Sequence, residues 1–353
     1  MTLAINTQPE PYARIRAVMP DILGRASIVS ATDGGSGVAR VAALFGQAQA
    51  DLAFLPNLDE IGSSMLRRAA FGFTLPQELR GRLGGIYHRP RFLGSLGFSP
   101  NQQLKAAGFS RLLHRGQFSH LLLLDPYLQA ELKTRGPGAP VFYIPDFFPT
   151  NFTADRAAAR RQFDLPEGKR VFLFYGLGNR RKGLGLPVRA MLAMADDTPA
   201  FLLCAGKQAA DRGVAQGLER LAERGRARVI DRYVTDEEEK SLFAASDFVL
   251  LPYHRHFGVS GVLMRAIGAG RPAIVSDEEL LGRLTRERGL GILFRSGDPV
   301  ALQYAIERAA LASQEDMARW QAAVRADAPN WTQSAFCDAL IASFKDAVER
   351  LNL

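Results

Sequence analysis

The sequence predicts an α/β protein built from two doubly wound domains. Its 353 residues are enough for two domains of ordinary size. Short apolar runs alternate with longer segments of helical period, which is typical of βαβ units with parallel strands. A segment with two prolines and no helical period, Pro145–Asn151, interrupts this alternation near the middle of the chain. We therefore expect two Rossmann-like domains that face a central cleft, with the ligand bound at the carboxyl ends of the strands.

In the N-terminal half the alternation is less regular. Strands are predicted at 26–31, 120–124 and 141–144, and helices at 38–49, 101–115 and 127–134. The segment 62–100 resists assignment because neither period continues through it. We expect residues 1–151 to form an N-terminal Rossmann-like domain.

The C-terminal half alternates regularly. Strands are predicted at 170–175, 200–205, 227–231, 248–251, 273–276 and 291–294, and helices at 186–195, 208–224, 236–245, 261–270 and 278–288. This pattern predicts a second Rossmann-like domain over 152–330. Residues 331–353 are expected to form a helix that packs back towards the N-terminal domain.

Composition excludes several classes of protein. No stretch approaches the roughly 18 apolar residues that span a bilayer, and the N-terminus has no continuous apolar segment, so we expect a soluble, cytoplasmic protein. Cys204 and Cys337 are predicted to be reduced, packed thiols. The formal net charge of +8 favours anionic partners, such as phosphorylated ligands or acidic lipids. Nucleic acid would explain the charge but none of the loops described below.

The first candidate binding loop follows the strand 170–175 and ends at a helix. Its glycines let the backbone approach a ligand, and its three consecutive cations can neutralise a diphosphate. A solvated turn with ordinary surface arginines is the alternative interpretation, but the position directly after a strand favours anion binding. The predicted binding residues are Gly176, Gly178, Arg180, Arg181 and Lys182.

A second candidate loop joins the strand 248–251 to the helix 261–270. Ser260 can cap this helix while the N–H groups of Gly261 and Val262 point outward at an anion. A capping serine alone is a common structural feature, but two such loops after strands of one sheet favour a shared ligand. The loop also carries His254 and His256, which lack further ligands at suitable spacing, so no metal site is predicted.

A third glycine-rich turn follows the first predicted strand of the N-terminal domain. It matches a dinucleotide fingerprint only weakly, because Arg40 stands where the third glycine is expected. It is therefore not interpreted as an NAD site.

From about Leu121 to the C-terminus the chain resembles group 1 glycosyltransferases, which are retaining, nucleotide-sugar-dependent enzymes with the GT-B fold. Residues 175–183 are similar to the family's G-R-L-x-x-x-K-G loop, and 244–252 to its Ala-Asp-strand-Pro element. Residues 266–277 are similar to its E-A-M-A-C-G-T-P-V-V-A-S-D segment. Residues 121–128 and 141–146 resemble the last strand and helix of its N-terminal domain and the start of its linker.

The chain departs from the family pattern at three positions. Leu177 stands where an arginine is expected, and Phe257 and Arg265 stand where the family has two glutamates separated by seven residues. In the family the first glutamate contacts the donor sugar and the second the nucleotide ribose. The Ser260-Gly261 pair resembles a variant in which backbone amides at the helix start still hold the diphosphate. Asp277 and Glu278 are the carboxylates that could face the cleft instead.

The resemblance implies transfer of a sugar from a nucleoside diphosphate sugar to a glycan or lipid-linked acceptor, without a metal or other cofactor. It also implies that the C-terminal domain, 152–330, binds the nucleotide sugar and that the N-terminal domain, 1–151, binds the acceptor. Gly34 and Gly35 of the third glycine-rich turn are assigned to this acceptor side. Lys182 and Arg181 would stabilise the departing diphosphate. Tyr233 is placed where the family holds the nucleobase, although a buried structural tyrosine is an equal alternative. Arg265 and His256 complete the predicted donor side. The alternatives are a catalytically inactive GT-B scaffold and a GT-B nucleotide-sugar epimerase or phosphorylase.

A basic, aromatic-rich stretch of the N-terminal domain suits an anionic membrane surface. A solvated basic face is the alternative interpretation. The stretch supports a role at the membrane in synthesis of cell-surface polysaccharide or glycoconjugate. Its arginines are Arg67, Arg68, Arg80, Arg82, Arg89 and Arg91, interleaved with Phe71, Phe73, Leu75, Tyr87, Phe92 and Leu96.

Overall fold

A computed structural model of the chain describes residues 2–5, 27–30, 37–94, 99–136, 138–149, 152–208 and 211–352. Gly34 and Gly35, which were assigned to the acceptor side, lie outside these described residues, as does Leu96. The chain divides into two compact units. One comprises Met1–Ile144 with Ala339–Leu353, and the other comprises Pro145–Asp338.

The N-terminal unit contains a parallel four-stranded sheet in the order β3-β4-β5-β6, while β1 and β2 form a separate parallel pair. Helices follow β2 to β5, as the βαβ pattern requires. The elements are β1 Thr2–Ile5, β2 Ser27–Ser30, α1 Gly37–Ala48, β3 Ala53–Leu55, α2 Asp59–Ala70, β4 Leu83–Tyr87, α3 Pro100–His114, β5 Phe118–Leu123, α4 Pro126–Arg135 and β6 Val141–Tyr143.

Strand β4 lies in the segment 62–100, for which no element was predicted. All five of its residues are buried, and two of them are glycines. A Cβ on Gly84 would meet the ring of His120, and one on Gly85 would lie 2.6 Å from the Leu55 carbonyl oxygen. Positions 84 and 85 need glycine because the neighbouring atoms leave no room for a side chain. The two glycines interrupt the run of apolar residues by which a buried strand is recognised in a sequence.

The C-terminal unit contains a parallel six-stranded sheet in the order β12-β11-β10-β7-β8-β9, which is the doubly wound order. All six predicted strands and the five predicted helices between them are confirmed, with small differences at their ends. The elements are α5 Arg156–Gln162, β7 Arg170–Tyr175, α6 Gly185–Ala193, β8 Ala200–Ala205, α7 Arg212–Glu223, β9 Ala227–Ile230, α8 Asp236–Ala245, β10 Phe248–Leu251, α9 Gly261–Gly268, β11 Ala273–Ser276, α10 Glu279–Arg288, β12 Gly291–Phe294, α11 Pro299–Ala310, α12 Gln314–Asp327 and α13 Gln333–Leu351.

The core of the C-terminal unit lies between its sheet and the helices that cover it. Strand residues such as Phe172 and Phe248 are fully buried and their rings stack at 5.8 Å. Cys204 of β8 is buried within the same core, but Cys337 is exposed on α13, so the expectation of two packed thiols is wrong for Cys337. Both cysteines are free.

Helix α13 crosses the division between the units, since its residues after Asp338 belong to the N-terminal unit. There the Phe344 ring lies 5.1 Å from the ring of Phe54 and 4.6 Å from that of His120. Burial lowers the pKa of His120 to about 4.

Among the described residues, no helix has the length and apolar character needed to cross a membrane.

Candidate functional site

The two loops singled out from the sequence meet at the centre of the C-terminal sheet. Strands β7 and β10 are parallel neighbours, so their carboxyl ends lie side by side at the point where the strand order reverses. Gly183 closes the first loop at φ +75°, and a Cβ there would collide with the carbonyl oxygen of Pro252 at the start of the second. The two loops are therefore packed backbone against backbone.

Lys182 folds back over the start of its own loop. The Asn179 side-chain oxygen accepts a hydrogen bond from the Lys182 N–H at 3.0 Å and fixes the turn 180–182. A Cβ on Gly176, which has φ +101°, would lie only 2.6 Å from Lys182 Nζ. The ammonium donates a long hydrogen bond of 3.4 Å to the Tyr175 carbonyl oxygen. Glycine at position 176 thus makes room for the lysine side chain.

The electrostatic surroundings of Lys182 are unfavourable to its charge. Burial, together with the nearby guanidinium groups of Arg181 and Arg265, lowers its pKa to about 8. Among the described residues, no carboxylate lies within ion-pair distance of the Lys182 ammonium. A cation held in this way gains most from an anion that binds beside it.

Arg181 and His256 belong to different loops and lie next to each other. Arg181 Nη1 is 3.3 Å from His256 Nδ1, and His256 Nε2 is 3.2 Å from the Val259 carbonyl oxygen. If Nε2 carries the proton and donates to that carbonyl, Nδ1 can accept from the guanidinium. Arg180 is exposed on the outer side of the turn.

Ser260 caps helix α9, as predicted, and it is buried. Its Oγ accepts the Val262 N–H at 3.2 Å and lies 3.2 Å from the Tyr253 hydroxyl. The prediction that the Val262 N–H points outward is therefore wrong, because the serine cap already occupies it. Gly261 is exposed at the first turn of the helix.

Arg265 is held by a carboxylate that the sequence reasoning missed. Its Nε donates to Glu239 Oε1 at 2.5 Å, and its Nη1 donates to the Gly261 carbonyl oxygen at 3.1 Å. Glu239 is buried, and burial together with this neighbouring carboxylate raises the pKa of the Tyr175 hydroxyl. Glu239 therefore lies near the end of β7 and is paired with a residue of helix α9.

A sequence signal for Glu239 exists, although it is faint. Four acidic residues, Asp236–Glu239, open helix α8, where acids are favoured by the helix dipole. Only Glu239 is spaced by three and four residues from the buried Leu242 and Phe243. That spacing places this one carboxylate on the inward face of the helix.

The remaining predicted residues lie apart from this cluster or serve other contacts. Tyr233 is 82% exposed on the loop after β9, which excludes the buried structural alternative. Glu278 accepts the Arg255 N–H at 2.9 Å, and Asp277 accepts the Ser296 N–H at 3.0 Å. Both carboxylates therefore brace loops at the carboxyl edge of the sheet. Phe257 is buried.

A cavity of about 730 Å³ opens beside the first loop. Gly178 and Arg180 line it, together with His254 and the start of helices α6 and α7. Lys182 and Arg265 are not among its lining residues. The predicted binding residues are thus distributed between this cavity and the Lys182–Arg265 cluster.

The arginines of the N-terminal unit fall into two groups. Arg82 precedes β4 and Arg89 follows it, so they lie at opposite edges of the sheet. At the amino edge, the Arg68 guanidinium lies 4.2 Å from the centre of the Phe73 ring, and Phe71 is 82% exposed. Arg67 and Arg80 are exposed near the same edge, whereas Arg91 lies beyond Arg89.

Comparison with known proteins identifies the class. Residues 169–311 match the family described as glycosyl transferases group 1. The fold over 94–98% of the chain is similar to solved GT-B glycosyltransferase structures. The resemblance inferred from the sequence is confirmed: the segment 169–311 is similar to group 1 glycosyl transferases, and the fold of the chain is similar to that of GT-B enzymes.

Individual relatives are distant. D-inositol 3-phosphate glycosyltransferase of Salinispora tropica is 30% identical over 176 residues, which cover 44% of this chain and 35% of that protein. The match therefore spans about a third of that relative. Sucrose-phosphate synthase of Thermosynechococcus elongatus gives a TM-score of 0.63 at 17% identity, covering 98% of this chain and 83% of the other. The structure of Anabaena HepE in complex with UDP and glucose gives a TM-score of 0.63 at 16% identity, covering 96% of this chain and 89% of the other.

Proposed function

We propose that the chain is a glycosyltransferase whose C-terminal unit binds a nucleoside diphosphate sugar. The observation that carries this proposal is the cation cluster at the carboxyl ends of β7 and β10. Among the described residues Lys182 has no carboxylate partner; it is partly buried there and lies near Arg181 and Arg265. Such a cluster is complementary to a diphosphate, which presents at least two negative charges.

The reaction follows from the charge that develops at the donor. The bond between the anomeric carbon and the diphosphate oxygen breaks, and the electron pair leaves with the diphosphate. An acceptor hydroxyl oxygen bonds to the anomeric carbon and releases its proton. Lys182 and Arg181 stabilise the leaving diphosphate, with no group rearranging as the charge forms.

Two finer features of this reaction are also proposals. The fixed cations supply the charge that a divalent metal would otherwise supply to the diphosphate, so we propose metal-independent transfer without another cofactor. Resemblance to the group 1 family implies retention of the anomeric configuration. HepE is described in complex with UDP and glucose, so UDP is the first probe for the donor base.

Titration calorimetry with UDP and thermal shift with UDP-, GDP-, ADP-, dTDP- and CMP-sugars test this proposal. We expect one nucleotide class to bind the wild type and to lose at least tenfold in affinity with Lys182→Met. Lys169→Met is the matched control, because Lys169 is exposed before β7 and contacts the Gly225 carbonyl instead. Failure of every nucleotide to bind the wild type would overturn the proposal.

A catalytically inactive scaffold that binds a nucleotide sugar is the second candidate. It is favoured by Phe257 and Arg265, which stand where the resemblance expects two carboxylates, and by Phe257 being buried. Binding and turnover separate the two candidates. A scaffold binds the nucleotide but produces neither glycoside nor free sugar from any bound donor, and an epimerase would convert the donor sugar without releasing the nucleotide.

For the acceptor we propose a lipid-linked or glycan substrate at an anionic membrane surface. Arg67, Arg68 and Arg82 are exposed on the side of the N-terminal sheet where β4 begins, and Phe71, which directly follows α2, is also exposed. Each cation near such a surface contributes about 1 kcal/mol, and an aromatic side chain can enter the interface.

Co-sedimentation with vesicles tests the membrane proposal. We expect binding to phosphatidylcholine vesicles only when they contain phosphatidylglycerol, and loss of binding when Arg67, Arg68 and Arg82 are changed to Gln. Arg89→Gln with Arg91→Gln is the control from the opposite edge of the sheet. Equal loss in both variants, or no binding at low salt, would argue against a specific surface.

A further inference from the structure

We propose that Glu239 is a positioning residue of the phosphate site: it fixes the Arg265 guanidinium so that Arg265 and Lys182 clamp two adjacent phosphate groups. This inference rests on the proposed function and extends it. It assigns a role to a residue outside both predicted loops. It also predicts that the site distinguishes a nucleoside diphosphate from a monophosphate.

The geometry of Arg265 supports the first step. Nε is committed to Glu239 and Nη1 to the Gly261 carbonyl oxygen, and these two bonds set the plane of the guanidinium. No hydrogen bond is seen from Nη2 to the described residues, and about a third of the side chain is exposed. An arginine fixed along one side presents its other side in a defined direction, so little entropy is lost when it binds an anion.

A second step concerns where that free side lies. Lys182 Nζ lies 5.8 Å from the centre of the Tyr253 ring, and the Tyr253 hydroxyl lies 3.2 Å from Ser260 Oγ at the start of α9. Arg265 Nη1 contacts the Gly261 carbonyl oxygen in the same turn, so Lys182 and Arg265 both lie near the N-terminus of α9. The charge of Arg265 contributes to the lowered pKa of Lys182, which agrees with this placement.

The single carboxylate does not neutralise the cluster. Glu239 is paired with Arg265 at 2.5 Å, which leaves the charges of Arg181 and Lys182 uncompensated among the described residues. Two cations on neighbouring elements fit two phosphate groups better than one. A monophosphate can contact only one of the two cations. The ratio of UDP affinity to UMP affinity therefore measures whether Lys182 and Arg265 are both in position to bind phosphate.

Neutralising Glu239 separates positioning from simple electrostatics, because the two effects have opposite signs. Removing a negative charge near the phosphates makes the potential more positive and by itself strengthens UDP binding. Releasing Arg265 weakens it. We expect Glu239→Gln to weaken UDP binding about tenfold and UMP binding by less than threefold, as measured by calorimetry on the full chain.

The double mutant provides the decisive comparison. In the Arg265→Met background Glu239 is an unpaired carboxylate that repels phosphate, so Glu239→Gln should there leave UDP binding unchanged or strengthen it. A purely structural role would weaken binding in both backgrounds and lower UDP and UMP affinity alike. That result, or tighter UDP binding by the single Glu239→Gln variant, would overturn the proposal.

Glu238→Gln is the matched control. Glu238 lies in the same turn of α8 but pairs with Arg232 at 2.6 Å and takes part in the helix cap instead. The same charge is removed without touching Arg265, so the ratio of UDP to UMP affinity should stay as in the wild type. If the wild type and Lys169→Met bind UDP, Lys182→Met does not, and Glu239→Gln is neutral, the diphosphate site stands and the role of Glu239 falls. If the wild type binds no nucleotide, both fall.

Discussion

At the scale of single residues, the site is defined by one lysine whose charge the fold does not compensate. Lys182 has a pKa of about 8 because it is partly buried and faces two arginines. A diphosphate reverses this balance, since it stabilises the charged form. Ligand binding above pH 8 should therefore be coupled to the uptake of a proton.

This coupling predicts how affinity changes with pH. Up to about pH 7.5 Lys182 is mostly charged and UDP affinity should be nearly constant; between pH 7.5 and 9 UDP affinity should fall about five- to tenfold as the free lysine loses its proton. Calorimetry in buffers of different ionisation enthalpy would show the proton uptake directly. Lys182→Arg keeps its charge over this range and should bind with little pH dependence. A wild-type affinity that is flat to pH 9 would contradict the prediction.

The same residue should lower the stability of the unliganded protein. Its folded pKa lies below the ordinary lysine value of 10.5, so the charged form is disfavoured in the folded state throughout the range below pH 8. Between pH 8 and 10.5 this penalty disappears as the folded lysine loses its proton. At pH 7 we expect Lys182→Met to raise the free energy of unfolding by about 1–2 kcal/mol while removing nucleotide binding. Denaturant melts without ligand check this; a destabilised variant would contradict it.

At the scale of elements, the contact between the two loops depends on a glycine. Gly183 combines φ +75° with a Cβ position blocked by the Pro252 carbonyl oxygen. Gly225 has φ +62°, but nothing lies within 4 Å of its Cβ position. Both positions therefore have a left-handed backbone that disfavours alanine, but only at Gly183 would a Cβ also collide with the Pro252 carbonyl oxygen.

Alanine substitution at these two glycines measures that contact. Gly225→Ala should cost about 1–2 kcal/mol from its left-handed backbone alone and leave UDP affinity unchanged. Gly183→Ala should cost more, by about 1–3 kcal/mol, and should weaken UDP binding because Lys182 is its neighbour. Denaturant melts and calorimetry measure both quantities. Equal effects of the two variants would show that the loops are not in close contact.

A second glycine pair tests packing in the N-terminal unit. A Cβ on Gly108 of α3 would collide with the Leu66 carbonyl oxygen of α2, whereas a Cβ on Gly46 of α1 meets nothing within 4 Å. Gly46→Ala should be neutral or stabilising by up to about 1 kcal/mol. Gly108→Ala should destabilise by about 2–3 kcal/mol, because two helix backbones must separate. Thermal unfolding of both variants measures these changes in stability. Similar changes in melting temperature for the two variants would refute the close contact between α2 and α3.

Strands and helices with a regular apolar pattern could be predicted from the sequence, whereas a strand whose residues are determined by close contacts with distant parts of the chain could not. Strand β8, Ala200–Ala205, is a continuous apolar run and was placed to the residue. Strand β4 was missed because Gly84 and Gly85 are required by neighbouring atoms that lie far away in sequence. Lys182 and Ser260 follow strands, which is why the sequence predicts them as binding residues, while Glu239 lies inside a helix. Its spacing to buried residues places Glu239 on the inward face of α8, but its contact with Arg265 is visible only in three dimensions.

At the scale of the whole molecule, the candidate nucleotide site lies within one unit. Every residue of the Lys182–Arg265 cluster falls within 145–338. The N-terminal unit is completed by residues from the opposite end of the chain, Ala339–Leu353. The stability of the N-terminal unit and the affinity for the nucleotide should therefore respond to different substitutions.

Phe344 provides this test. Its ring packs against Phe54 at 5.1 Å and His120 at 4.6 Å, so Phe344→Ala should destabilise the N-terminal unit by about 2–4 kcal/mol. Ile341 lies one turn earlier on α13 and is 52% exposed, and Ile341→Ala should cost less than about 1 kcal/mol. Calorimetric unfolding measures both, and titration below the melting range should give a UDP affinity within twofold of the wild type for each. A loss of UDP affinity in the folded Phe344→Ala protein would show instead that the C-terminal helix transmits changes in the N-terminal unit to the nucleotide site.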